Sequence, residues 1–140
     1  MHRGGGALAW KCKNQRIPTD SPGAQELFMA TLAYKFTLSM RMLLSDINFG
    51  SPVVDPTPFF TDSEVILDGY KCERLVKSSR WMASRYAMLR YGMDRLMINP
   101  TKIAKEFNVA DIVTKALTGL LFVRHRATLL GLAHRTTLPS

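Results

Sequence analysis

Three acidic residues stand where a carboxylate could do chemistry. Glu26 falls in the first turn of a long helical pattern, within Gly23-Ala24-Gln25-Glu26-Leu27-Phe28. Asp62 follows the apolar run Phe59-Phe60-Thr61, where a side chain projects at the C-terminal end of a strand. Asp111 begins a helical pattern in Asn108-Val109-Ala110-Asp111-Ile112-Val113-Thr114-Lys115. Carboxylates are the hard oxygen donors that Mg²⁺ demands, and a cluster of them repels itself without a cation. Each acid alone also has a purely structural reading. An acid in a first helical turn complements the helix dipole, and an aspartate after a strand makes a turn. No Ser-His-Asp or Cys-His arrangement, phosphate-binding loop or dinucleotide glycine pattern accompanies them. Cys12 and Cys72 lie far apart, with no CxxC and no histidine at ligand spacing. That argues against a disulfide scaffold or structural zinc site, and suits reduced thiols in an intracellular protein, cytoplasmic or nuclear.

The elements that would position these acids can be read along the chain. Residues Ala7 to Lys13 alternate, with Leu8, Trp10 and Cys12 on one side, and suit a short strand. Ser21-Pro22 is a helix-start signal, an N-cap followed by proline at the first helical position. From Ala24 to Ile47, Phe28, Leu32, Phe36, Met40, Leu43 and Ile47 recur as one apolar stripe, and Asn48-Phe49-Gly50 ends the helix. Ser51 to Pro58 is a proline-rich loop or edge passage, Phe59–Thr61 a strand, and Glu64 to Gly69 a brief helix. A further helix covers Ser79 to Tyr91, with Met82, Tyr86 and Leu89 on one face and Gly92 as its stop. Leu96 to Ile98 forms another strand, broken by Asn99-Pro100-Thr101. Asn108 caps a helix through about Leu117, Gly119 interrupts, and Leu120 to Leu132 is helical again. Strands interspersed with helices predict an α/β or α+β domain, with one mixed sheet containing Ala7–Lys13, Phe59–Thr61 and Leu96–Ile98.

The composition bounds the partners. The chain has 140 residues, enough for one domain, with 46% hydrophobic and 21% charged residues. Nineteen Lys and Arg against eleven Asp and Glu give +8, a surplus that suits a polyanion, nucleic acid being the usual one. No run approaches about eighteen consecutive apolar residues, so no membrane span is expected. The start, Met1 to Gly6, has no apolar core of a signal peptide and reads as a start inside a longer gene. Lys71, Arg74, Lys77, Arg80, Arg85 and Arg90 surround the second long helix, as a groove for phosphates or as a solvated face. Trp81 has two readings, a stacking platform or a core residue, while His125 between Arg124 and Arg126 reads as surface.

Taken in order, these segments resemble the RNase H domain of copia-type retrotransposon polyproteins. Gly6-Ala7-Leu8-Ala9-Trp10-Lys11-Cys12-Lys13-Asn14-Gln15 is similar to that family's strand before its glutamate helix. Thr61-Asp62-Ser63 is similar to its central acidic turn, and Ala110-Asp111-Ile112-Val113-Thr114-Lys115-Ala116-Leu117 to its late acidic block. Lys77 to Tyr86 resembles its basic helix, and Phe122 to Leu132 its closing helix. The resemblance spans about residues 6 to 132, leaving residues 1–5 as a disordered start and 133–140 as a tail. It implies an RNase H-like mixed sheet flanked by helices. It also implies that Glu26, Asp62 and Asp111 are metal-binding catalytic acids, sharing two Mg²⁺ ions roughly 3.5–4 Å apart. The implied substrate is an RNA–DNA hybrid, met by Lys71, Arg74, Lys77, Arg80 and Arg85, and the implied neighbour is an upstream reverse transcriptase.

One member of the pattern has no counterpart. The family's first acid sits in a leading strand, yet no Asp or Glu precedes Asp20, which itself lies in the loop before the glutamate helix. The expectation is a domain without its first strand and most of its second, holding three of four metal-binding acids and cleaving little by itself. The other reading is a decayed remnant acting at most as a basic nucleic-acid-binding fold.

Overall fold

The structure, a computed structural model, describes residues 6–7, 9–10, 21–47, 54–69 and 82–132. They fall in two compact units, Ile17–Ile103, and Met1–Arg16 together with Ala104–Ser140. Both helices and strands are present, so the mixed α/β expectation holds.

The first unit is built on α1 (Pro22–Asp46), β1 (Thr57–Thr61), α2 (Glu64–Gly69), α3 (Ala83–Asp94) and β2 (Ile98–Lys102). Helix α1 starts where Ser21 and Pro22 predict. The Ser21 hydroxyl accepts the Ala24 amide at 3.3 Å, satisfying one of the amides a helix start leaves without a partner. Its buried stripe differs from the expected one. Ala24, Leu27, Ala30, Thr31 and Tyr34 are buried, whereas Phe28, Leu32 and Met40 are half-buried and Phe36, Leu43 and Ile47 exposed. The small residues win because α2 and α3 approach α1 closely there. Thr31 enters the apolar face by donating its hydroxyl to Leu27 O at 2.8 Å. By length and composition alone, 25-residue α1 passes for a membrane-crossing helix, with mean hydropathy 1.2 over its best window. The core helix of a soluble protein passes the same test. The expectation of no span counted unbroken apolar runs, which Lys35 and the Ser and Thr residues interrupt; averaged hydropathy does not see those breaks.

Strands β1 and β2 pair in parallel, Thr57 opposite Ile98 through Thr61 opposite Lys102. Parallel neighbours need a crossover, and α2 and α3 lie on the connection between them. Amides at both ends lengthen the ladder, Thr57 N to Met97 O at 3.1 Å and Ile103 N to Thr61 O at 3.0 Å. Arg41 of α1 fastens the approach to β1 by donating to Asp55 O at 2.8 Å and Thr57 Oγ1 at 2.7 Å. The strand expected at Leu96–Ile98 begins at Ile98 and runs through Asn99, Pro100 and Thr101. Proline is tolerated on an edge strand, where its missing N–H breaks no ladder.

Helix α3 continues past its expected stop. Gly92 lies inside it, packed against Tyr34 of α1, and the turn out of the helix is made by Leu96 at φ 53°. The Leu96 and Met97 amides close that turn on Met93 O and Gly92 O, both at 2.8 Å. The core joins Leu27, Ala30 and Tyr34 to Ile66, Tyr86, Leu89 and Ile98. Met82, Met88 and Met93 fill in around it, as unbranched thioethers do. The face expected for this helix, Met82, Tyr86 and Leu89, is therefore the one that packs. The end of the first helix expected at Asn48-Phe49-Gly50, the start of the later helix expected at Ser79 to Trp81, and both cysteines lie outside the described residues.

In the second unit two short 3-10 turns, Lys105–Phe107 and Val109–Val113, precede α3's successor α4 (Gly119–Leu129). Asn108 caps the second turn as expected, its Oδ1 accepting the Ala110 amide at 3.3 Å. The helix expected through Leu117 is only that 3-10 turn, because the Thr114 amide closes on Asp111 O in the tighter 3-10 pattern. Gly119 opens α4 instead of merely interrupting it. The expected first strand is reduced, in its described residues, to one antiparallel bridge from Gly6 to Leu130, with the Ala7 amide on Leu129 O at 2.8 Å. Among the described residues the sheet has two strands, not three. His125, read as surface from its arginine neighbours, is 2% exposed and is the buried residue of α4. Charged neighbours in sequence point to other faces of a helix, which is why they mislead.

Candidate functional site

Asp62 sits where the sequence puts it, directly after β1 and before α2, at the C-terminal end of a parallel strand. In open parallel sheets that end is where ligands bind. The turn that carries it is held by hydroxyls on both sides. The Ser63 amide donates to Thr61 Oγ1 at 3.2 Å. Ser63 Oγ accepts the Ile66 amide at 3.4 Å, so Ser63 is the N-cap of α2.

Glu26 reaches this turn from α1. It lies in the second helical turn, not the first, since the N-cap is Ser21 and no acid occupies the first turn. The dipole explanation for a first-turn acid therefore does not apply to it. Its partner is the Thr61-Asp62-Ser63 turn itself, because Ser63 Oγ donates to Glu26 Oε2 at 2.5 Å. The contact spans 37 residues of sequence and brings the helix acid to the residue next to Asp62.

Asp111 belongs to the other unit. Its side chain is mostly covered, 14% exposed, and both oxygens have partners. Lys115 Nζ lies 2.9 Å from Oδ2, and Asn108 Nδ2 donates to Oδ1 at 3.5 Å. Lys115 is thus the local counter-ion for the late acidic block. Any cation bound there would have to displace or share that contact.

The oxygen donors around Asp62 suit Mg²⁺ in type, and Glu26 Oε1 accepts no hydrogen bond among the described residues. Number is a different matter. Among the described residues no group of three or more His, Cys, Asp or Glu is gathered tightly enough to hold a metal ion. The structure joins Glu26 to the Asp62 turn and leaves Asp111 with its own lysine.

Of the basic residues singled out for phosphates, Arg85 and Arg90 are described, both half-buried on α3. The Arg85 guanidinium stacks over the Phe28 ring at 4.7 Å, an α3-to-α1 contact that occupies the cation within the protein. Lys71, Arg74, Lys77, Arg80 and Trp81 lie outside the described residues. Ser63 is the residue of this turn that reading the acids alone overlooks. A serine before Glu64-Val65-Ile66 carries an N-cap signal, but nothing in sequence ties it to a glutamate 37 residues earlier.

Comparison with protein-family models, with curated proteins and with solved structures finds no match to this chain.

Proposed function

We propose that this chain is the RNase H portion of a copia-type retrotransposon polyprotein, whose complete form cuts the RNA strand of RNA–DNA hybrids. The observation that carries the reading is the Ser63–Glu26 hydrogen bond, which ties the helix acid to the Thr-Asp-Ser turn of the family pattern. Asp62, at the end of a parallel strand, and Glu26, bonded to the residue that follows it, are the metal-binding pair in this reading, while Asp111 matches the family's late acid by its place in the sequence. The Asp62 and Glu26 carboxylates would hold Mg²⁺, which when bound would supply an activated water and charge stabilisation for phosphodiester cleavage. The chain's own residues orient these carboxylates, while the +8 charge draws in the phosphate backbone. The family's first acid has no counterpart among these residues, since no Asp or Glu precedes Asp20. Three of four acids make the chain by itself a poor nuclease.

The experiment joins an upstream strand bearing an aspartate to residue 1 and measures Mg²⁺-dependent cleavage of an RNA–DNA hybrid. Cleavage by the joined protein and little by the 140-residue chain supports the reading. A joined protein that folds cooperatively yet never cuts overturns it. In that outcome, hybrid binding that weakens steeply with salt favours the decayed, basic nucleic-acid-binding remnant, which the +8 charge supports on its own.

A further inference from the structure

Ser63 is 7% exposed and has more to do than cap a helix. A serine hydroxyl has one proton and two lone pairs. One lone pair takes the Ile66 amide, and an ionised carboxylate can only accept, so the proton goes to Glu26 Oε2. Thr61 Oγ1 in turn takes the Ser63 amide and fixes the backbone from which that hydroxyl projects. Both flanks of Asp62 are thereby occupied. The threonine shapes the turn and the serine clamps the acid from α1.

We infer that Ser63 is a positioning residue, whose hydroxyl holds the Glu26 carboxylate through Oε2 at the turn that carries Asp62, with Oε1 the oxygen that would meet a cation. This rests on the nuclease reading only for what the carboxylate is held toward; the holding itself does not. Glutamate has three side-chain torsions, and Glu26 is an exposed residue whose described hydrogen-bond partner is Ser63. Without that bond the carboxylate samples several rotamers and meets a cation in only a fraction of them. Residues that orient a metal ligand from behind are worth about 10–100-fold in metal affinity when removed.

A serine that merely caps α2 predicts something different, and substitutions separate the two roles. Glycine replaces serine at an N-cap with little loss, whereas threonine keeps both the cap and the hydroxyl. The test is carbon relaxation at Glu26 Cγ in the 140-residue chain, for the unsubstituted protein, Ser63→Gly and Ser63→Thr, followed by Mg²⁺ titration read at the Glu26 and Asp62 carboxyl carbons. Ser63→Gly should lose the order at Glu26 Cγ while keeping its urea midpoint, and weaken Mg²⁺ by about 10–100-fold. Ser63→Thr should restore both. Equal order at Glu26 in the serine and glycine proteins overturns the inference. Order lost in Ser63→Gly, with no Mg²⁺ response even in the unsubstituted chain, upholds the positioning role and overturns the metal reading instead.

Discussion

Replacing Gly92 with alanine sets two known effects against each other at one place in α3. A Cβ built on Gly92 would lie 2.5 Å from Tyr34 Cε2, 2.7 Å from Cζ and 2.8 Å from Oη. Carbon atoms rest at about 3.5–4.0 Å, so the ring must retreat by about 1 Å. Tyr34 is 2% exposed, and its hydroxyl is 3.6 Å from Met97 Sδ, so there is little room to retreat into. Overpacking of this kind costs about 1–3 kcal/mol. Against it, alanine exceeds glycine in helix propensity by about 1 kcal/mol. Three ring atoms inside contact distance favour the upper part of the first range, leaving a net loss of about 1–2 kcal/mol. With a urea dependence of about 1–3 kcal/mol per molar, the midpoint should fall by roughly 0.5–1 M. The sign should reverse in a Tyr34→Ala background, where the ring is gone and propensity alone remains; there Gly92→Ala should stabilise by about 1 kcal/mol. A Gly92→Ala protein that is more stable in both backgrounds refutes the close approach of α1 and α3.

Other outcomes follow from the same structure. Leu96 is exposed and holds φ 53°; Leu96→Gly should relieve a left-handed penalty of about 1–2 kcal/mol, less the entropy glycine adds to the unfolded chain, and so raise the urea midpoint. Ser21→Ala should cost about 1 kcal/mol and Ser21→Gly only a few tenths, as expected for an N-cap on α1. Arg85→Ala should cost about 0.5–1 kcal/mol by removing its stack on Phe28, measured by the same urea titration. Burial raises the hydroxyl pKa of Tyr34 and Tyr86 above 10.0, with Tyr91 adding to the effect on Tyr34. The unfolded chain then loses these protons first, so stability is full below pH 10.0 and declines as pH rises through the folded-state values. Tyr34→Phe should make that alkaline decline shallower in unfolding curves collected across pH.

Local signals were legible in the sequence, and contacts between distant segments were not. Ser21-Pro22 marks the start of α1, and Glu64 to Gly69 is the helix expected there, because caps and stops act within a few residues. The α1 stripe was misplaced because bulky residues were counted, while the buried face of α1 is Ala24, Leu27, Ala30, Thr31 and Tyr34, of which Leu27, Ala30 and Tyr34 join the core with Ile66, Tyr86 and Leu89. Gly92 read as a stop for the same reason; its partner, Tyr34, is on another helix. Pro100 read as a strand breaker, although an edge position in β2 accommodates it. In the candidate site, the types and order of Glu26 and Asp62 could be read directly. The link between them could not, since Ser63 serves a local cap and a distant carboxylate with one hydroxyl. The pairing of Asp111 with Lys115 was within reach, being an i, i+4 contact of the Asp-x-x-x-Lys spacing.

We propose Asp62 and Glu26 as metal-binding acids of a hybrid-cutting nuclease. The most direct test is the single-turnover rate of RNA–DNA hybrid cleavage in Mg²⁺ by the strand-joined protein, set beside Asp62→Asn and Glu26→Gln variants of matched urea midpoint. The expected result is cleavage by the parent and loss of cleavage in both variants, with hybrid binding retained. Cleavage that persists in Asp62→Asn, or a stable parent that cuts nothing, contradicts the account.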